Sequence, residues 1–214
     1  MDNLIQTLAI YALPVIFAIT LHEAAHGYAA RHFGDPTAWL LGRITPNPLK
    51  HIDLIGTILI PALLFISKAG FLFGWAKPVP VDFSRLHRPK QDMLWVAAAG
   101  PAANLVMAFA WAVMLKLAIV MPDNAYSLPL AEMARAGIEV NAVLMLLNLL
   151  PIPPLDGGRI AVSLLPAGLA WRFARIERFG FIILLAMIFF GVLGVILTPL
   201  LRAFLFFIKT VFAF

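Results

Sequence analysis

The chain has 214 residues, 62% hydrophobic and 13% charged, with mean hydropathy +0.93, whereas soluble domains hold roughly 45–50% apolar residues; a soluble protein is excluded and an integral membrane protein expected. The net charge of +5 raises nucleic acid as a partner, but the cations stand in short groups between apolar runs, as at Arg85, Arg88 and Lys90 or Arg172, Arg175 and Arg178. That is the pattern of membrane flanks facing anionic lipid, so the partner expected is the bilayer and not nucleic acid.

With about 20 apolar residues needed per spanning helix, the length suits one integral membrane domain over residues 1–214. Cysteine is absent, which excludes disulfides and thiolate ligands and leaves His, Asp and Glu to hold any metal.

The first apolar segment runs from about Leu4 to Ala30 and stops at Gly34-Asp35-Pro36. Its flank carries Asp2 and no Lys or Arg, so it reads as a retained helix with an outside N-terminus and not as a cleaved signal peptide. Pro14 lies within it and a kink there is tolerable in a bundle. From Gly34 to Asp53 the chain is rich in Pro, Gly, Thr and basic residues, an interfacial loop with room for short strands. The run Leu54 to Phe73 is apolar but interrupted by Pro61, Lys68 and Gly70. A full crossing there would put Arg85, Arg88 and Lys90 outside, so a re-entrant or surface-lying hairpin fits better.

The next helix is expected from about Met93 to Met121, with the small residues Ala97 to Ala103 and then Asn104 forming a face for close packing. A third long segment, about Ala136 to Leu165, contains Asn141 and Asn148 and is broken by Pro151-Ile152-Pro153-Pro154. Such a break survives at membrane depth only where the freed backbone groups are buried in protein or line a wet cavity, so it marks a site. The last apolar region, Phe179 to Phe214, is divided at Pro199 and Arg202. The fold class is therefore an all-α polytopic membrane protein: a three-helix core over about residues 4–165, accessory helices over about 179–214, and a re-entrant or interfacial loop.

Within the first segment stands Leu21-His22-Glu23-Ala24-Ala25-His26. Ionisable residues at bilayer depth each cost roughly 2.5–3.5 kcal/mol on insertion scales and mark function by default. His22 and His26, at i and i+4, share a helix face with Cβ atoms about 5–6 Å apart, so both can bind one ion. Glu23, one residue round, is placed to activate water as a general base. A catalytic zinc takes three protein ligands and keeps one open position. The third ligand expected is Asp156, after the broken helix and beside Gly157 and Gly158; Asp53, Asp82, Asp92 and Glu139, in or near polar flanks, are weaker candidates. Asn148 either packs helices together or donates to the oxyanion of a tetrahedral intermediate. His51 and His87 read as solvated loop histidines, and Asn104 as a brace to a neighbouring helix.

His22-Glu23-Ala24-Ala25-His26, then Gly100-Pro101-Ala102-Ala103-Asn104, then Asn148 through Pro151-Ile152-Pro153-Pro154-Leu155-Asp156-Gly157-Gly158 together resemble the site-2 protease family of intramembrane zinc metalloproteases. Asn47 to Asp53 and Gly74 to Pro80 resemble its compact prokaryotic branch, without PDZ or CBS domains. The resemblance implies one zinc per chain on His22, His26 and Asp156, with Glu23 as catalytic base and Asn148 assisting substrate. It also implies peptide-bond hydrolysis in or beside membrane segments of single-span proteins or signal-peptide remnants, in a prokaryotic cell membrane with the site near the cytoplasmic side. A metal transporter or a silent membrane scaffold is the rival reading. A transporter, however, needs several sites along a path, often in repeated halves.

Overall fold

The computed structural model describes residues 2–67, 74–121 and 124–214 and is helical throughout its long elements. Helix α1 is Asp2–His32, α2 Thr37–Leu40, α3 Ile60–Ile66, α4 Pro89–Val120, α5 Ser127–Asn148, α6 Asp156–Leu164, α7 Ala167–Ala174, α8 Glu177–Phe189 and α9 Val192–Phe212. Three stretches are long and apolar enough to cross a membrane: Ile5–His32, Pro89–Val120 and Val192–Phe212. Large apolar side chains on them face outward, among them Leu8, Val106, Val195 and Phe206, the reverse of a soluble fold and the arrangement that hydrocarbon solvates. This is a membrane protein.

Helices α1, α4 and α5 form the core. His22 meets Asn104 while His26 meets Val96, so α1 and α4 run antiparallel. Asn104 meets Asn141 and Trp111 lies against Gly137, so α4 and α5 are antiparallel as well. At the end of the bundle away from the histidines, Trp111, Leu115, Ile138 and Ile208 join α4, α5 and α9 in one apolar cluster.

The third segment differs from its expected extent. Helix α5 starts at Ser127, nine residues before Ala136 by the numbering, and ends at Asn148; α6 is a separate helix beginning at Asp156. The prolines between them cannot donate to a helical ladder, so the chain turns back here. The reversal is tight: a side chain on Gly157, in the first turn of α6, would fall on the backbone of Leu149 and Leu150. The C-terminal division also lies elsewhere than expected, at Gly191, whose φ of 72° ends α8 in the left-handed region. Pro199 sits inside α9, where an apolar helix accommodates the missing donor.

No strand forms among the described residues of the loop between α1 and α4. Six π-helical residues, Leu54–Leu59, lead into the seven of α3, a length of roughly 20 Å at 1.5 Å per residue against a hydrocarbon core of about 30 Å. Residues 68–73, the rest of the expected hairpin, lie outside the described residues. From Gly74 the chain runs extended back across the bundle and is tied down at intervals. Trp75 N–H donates to Gly56 O, Lys77 N–H to His51 O, and Asp82 N–H to Asp35 Oδ2 at 2.7 Å. His51 is thus 2% exposed and not solvated, its Nε2–H donating to Thr45 O at 2.9 Å.

Asp35 is fully buried and also accepts from the amide and hydroxyl of Thr37. It joins the end of α1, the start of α2 and the returning extended segment. Hydrogen bonds to a charged group are worth about 1.5–3 kcal/mol, so Asp35→Ala is expected to destabilise by roughly that amount. A lower thermal unfolding temperature in detergent checks it, and an unchanged one contradicts the tether.

Candidate metal centre

The turn after α5 carries Asp156 to the face of α1 that bears the two histidines. Nε2 of His22 and Nε2 of His26 lie 3.0 Å apart, and each lies 3.2 and 3.3 Å respectively from Asp156 Oδ2. The three atoms form a nearly equilateral triangle. Ligand atoms about 2.0–2.1 Å from a tetrahedral ion stand about 3.3–3.4 Å from one another, so the spacing is that of three corners of a zinc tetrahedron. His22 and Asp156 are each 7% exposed and the His26 side chain 12%.

Hydrogen bonds outside the triangle settle which nitrogens carry protons. His26 Nδ1 lies 2.7 Å from Val96 O; a carbonyl only accepts, so Nδ1 bears the hydrogen. Asn141 donates through Nδ2 to Gly137 O, which leaves its Oδ1 to accept from Asn104 Nδ2 at 3.0 Å. Asn104 Nδ2 also donates to Ala18 O at 3.1 Å, so the oxygen of Asn104 faces His22 Nδ1 at 2.6 Å and takes its hydrogen. Both rings therefore turn a bare Nε2 lone pair toward Asp156, whose Oδ2 is buried without a hydrogen-bond donor. Three acceptors facing one another repel unless a cation sits among them, and neutral imidazoles with a carboxylate are zinc's ligand types. The residues fit the metal.

Close approach makes this possible. A side chain on Gly100 would strike Nε2 and Cε1 of His22, each 2.6 Å away, and the ring of His26; only glycine lets α4 lie against both imidazoles. Asp156 opens α6, where a carboxylate is favoured by the helix dipole.

Glu23, one residue round from His22, meets the returning segment, where its Oε2 accepts from Val79 N–H at 2.7 Å. Asn148 is at the end of α5, its amide donating to Leu144 O one turn back at 3.0 Å. The other acidic candidates are used elsewhere: Asp53 receives the amides of Ile55 and Gly56, Asp82 that of Ser84, and Asp92 that of Arg88 ahead of α4, while Glu139 is exposed. Among the described residues His22, His26 and Asp156 form the one cluster able to hold an ion.

Over 194 residues the chain is 40% identical to "Putative zinc metalloprotease YwhC" of Bacillus subtilis, across 89% of this chain and 85% of that one. It belongs to the site-2 protease family of zinc metalloproteases. "Putative zinc metalloprotease Rip2" of Mycolicibacterium smegmatis is 34% identical over 145 residues, and its namesake in Mycobacterium tuberculosis 32% over 147; each match covers 66% of this chain. The matched part is about half, 52%, of each Rip2 protein. No family model and no solved structure matches. The chain is thus a membrane metalloprotease with zinc as its cofactor.

Sequence reasoning read Asn104 as a brace between helices and missed its bond to His22. The signal was present, since two asparagines inside apolar helices need partners. Outer-shell partners of this kind are worth 10- to 100-fold in metal affinity. Asn104→Ala is expected to weaken zinc by about that factor, and Gly100→Ala to weaken it through displaced rings. Competition with a chromogenic chelator measures both; wild-type affinity in either variant contradicts the arrangement.

Proposed function

We propose that this protease hydrolyses peptide bonds within or beside the membrane-spanning segment of single-span proteins or signal-peptide remnants, the chemistry of regulated intramembrane proteolysis. The observation that carries the reading is the depth of the ligand triangle: His22 lies ten residues, about 15 Å along the axis, from the helix end at His32, between α1, α4 and the turn ahead of α6. A site so placed meets substrates held in the membrane more readily than soluble ones.

Arg31 in the last turn of α1, Arg43, Lys50, Arg85 and Arg88 in the loop that follows, Lys90 at the start of α4 and Arg159 in α6 stand at the end of the bundle nearer the triangle. By the positive-inside tendency that end is cytoplasmic, and we place the site near the cytoplasmic face of a prokaryotic cell membrane.

His22, His26 and Asp156 hold the zinc, with their proton positions set beforehand by Asn104 and Val96. When bound, zinc supplies Lewis-acid polarisation of the scissile carbonyl and of water. Glu23 takes the proton from the attacking water and delivers it to the departing amine, which balances the hydrolysis: one C–N bond breaks, one C–O bond forms. Asn148, released from Leu144 O by a rotamer change, donates to the substrate oxygen. A helical substrate must be locally unwound first, because its i to i+4 bonds hide the carbonyls. The loop between α1 and α4 presents the unwound stretch or gates its access.

Loss of a general base costs about 10²- to 10⁴-fold in rate. Glu23→Gln should lose cleavage of single-span model substrates on that scale while keeping zinc, and Asp156→Ala should lose both. Cleavage by Glu23→Gln at the wild-type rate would remove Glu23 from the mechanism. Zinc retained at full affinity by Asp156→Ala would remove the third ligand.

A further inference from the structure

We infer that the backbone amide of Val79 is a positioning group of the active site, holding the Glu23 carboxylate in place while its other oxygen works. The inference rests on the assignment of Glu23 as base and adds to it the device that orients it.

The local chemistry singles out this one donor. In Pro78-Val79-Pro80 both prolines lack an N–H, so Val79 carries the single backbone donor between Lys77 and Val81. That donor is spent on Glu23 Oε2 at 2.7 Å, across 56 positions of sequence. Flanking prolines also restrict the backbone on both sides, since each fixes its own φ and keeps the preceding residue extended. The Val79 peptide is therefore stiff as well as correctly aimed.

Four further contacts hold it there. Arg43 Nη2 donates to Lys77 O at 3.0 Å and Pro78 O at 3.1 Å, clamping the two carbonyls ahead of Val79. Lys77 N–H is bonded to His51 O at 2.8 Å. The Val79 side chain, 7% exposed, packs over Gly27, one turn beyond Glu23, where an added Cβ would approach its Cγ1 to 3.2 Å. A carboxylate on a flexible three-bond side chain would otherwise sample several rotamers. With Oε2 held by a rigid donor, Oε1 is left to accept from water, and a misplacement of about 1 Å in a reacting group can cost about 100-fold in rate.

The test replaces Val79 by its α-hydroxy acid in the full-length protein, so that an ester removes the N–H and leaves the side chain. Zinc content and steady-state cleavage of a fluorogenic peptide with one transmembrane helix are measured in nanodiscs. The expected result is a kcat lower by about 10- to 100-fold, with KM and zinc content at wild-type values. Val79→Ala, which keeps the N–H but loses the packing over Gly27, should lower kcat less than the ester does. Arg43→Ala should lower kcat in the same sense and Arg43→Lys should restore part of it. Wild-type kcat in the ester variant overturns the inference, whether or not KM rises, as does a loss of kcat that follows loss of zinc. Glu23→Gln run alongside separates the two ideas. If it still cuts, the base assignment fails; if it is inert while the ester variant cuts normally, the positioning role fails alone.

Discussion

Everything about this site follows from two imidazole lone pairs and a carboxylate oxygen forced together within 3.0–3.3 Å among apolar helices. In water such a cluster would separate or protonate. Here Val96 O holds the hydrogen of His26 on Nδ1, and the relay from Gly137 through Asn141 and Asn104 does the same for His22. The protein has placed its acceptors before the ion arrives, which lowers the reorganisation that binding requires. A buried triangle without hydrogen-bond donors is costly for the apo fold, and metal binding relieves that cost.

Helix geometry supplies the rest of the scaffold. The i, i+4 repeat aligns the two histidines on α1, Gly100 lets α4 approach their rings, and the proline-rich turn after α5 swings Asp156 across. Glu23, the proposed base, lies on the neighbouring face of α1 and is reached by a returning segment and not by another helix. The metal-binding group and Glu23 thus have separate supports: His22, His26 and Asp156 on packed helices, Glu23 against a loop fastened by Asp35, His51 and Arg43.

The helical class, the α1 and α4 boundaries to within a few residues and the grouping of His22, His26 and Asp156 were legible from apolar run lengths, an i, i+4 pair and a glycine-flanked aspartate. Less legible was anything made by backbone atoms. Val96 O and Val79 N–H carry no residue-type signature, and their roles emerge only when segments 56 and 70 positions apart meet. His51 looked like a loop histidine because its neighbours are polar; tertiary contacts bury it. The end of α8 was misplaced because Pro199 is the stronger helix breaker in isolation, yet a left-handed glycine at 191 terminates the helix first.

The chain presents one preset zinc site with two imidazoles and one carboxylate. X-ray absorption spectroscopy of the zinc-loaded protein in detergent tests it most directly. The expected result is a four-coordinate first shell of nitrogen and oxygen at about 2.0–2.1 Å with multiple scattering from two imidazole rings. A shell with one imidazole or none, or six oxygens, would contradict it.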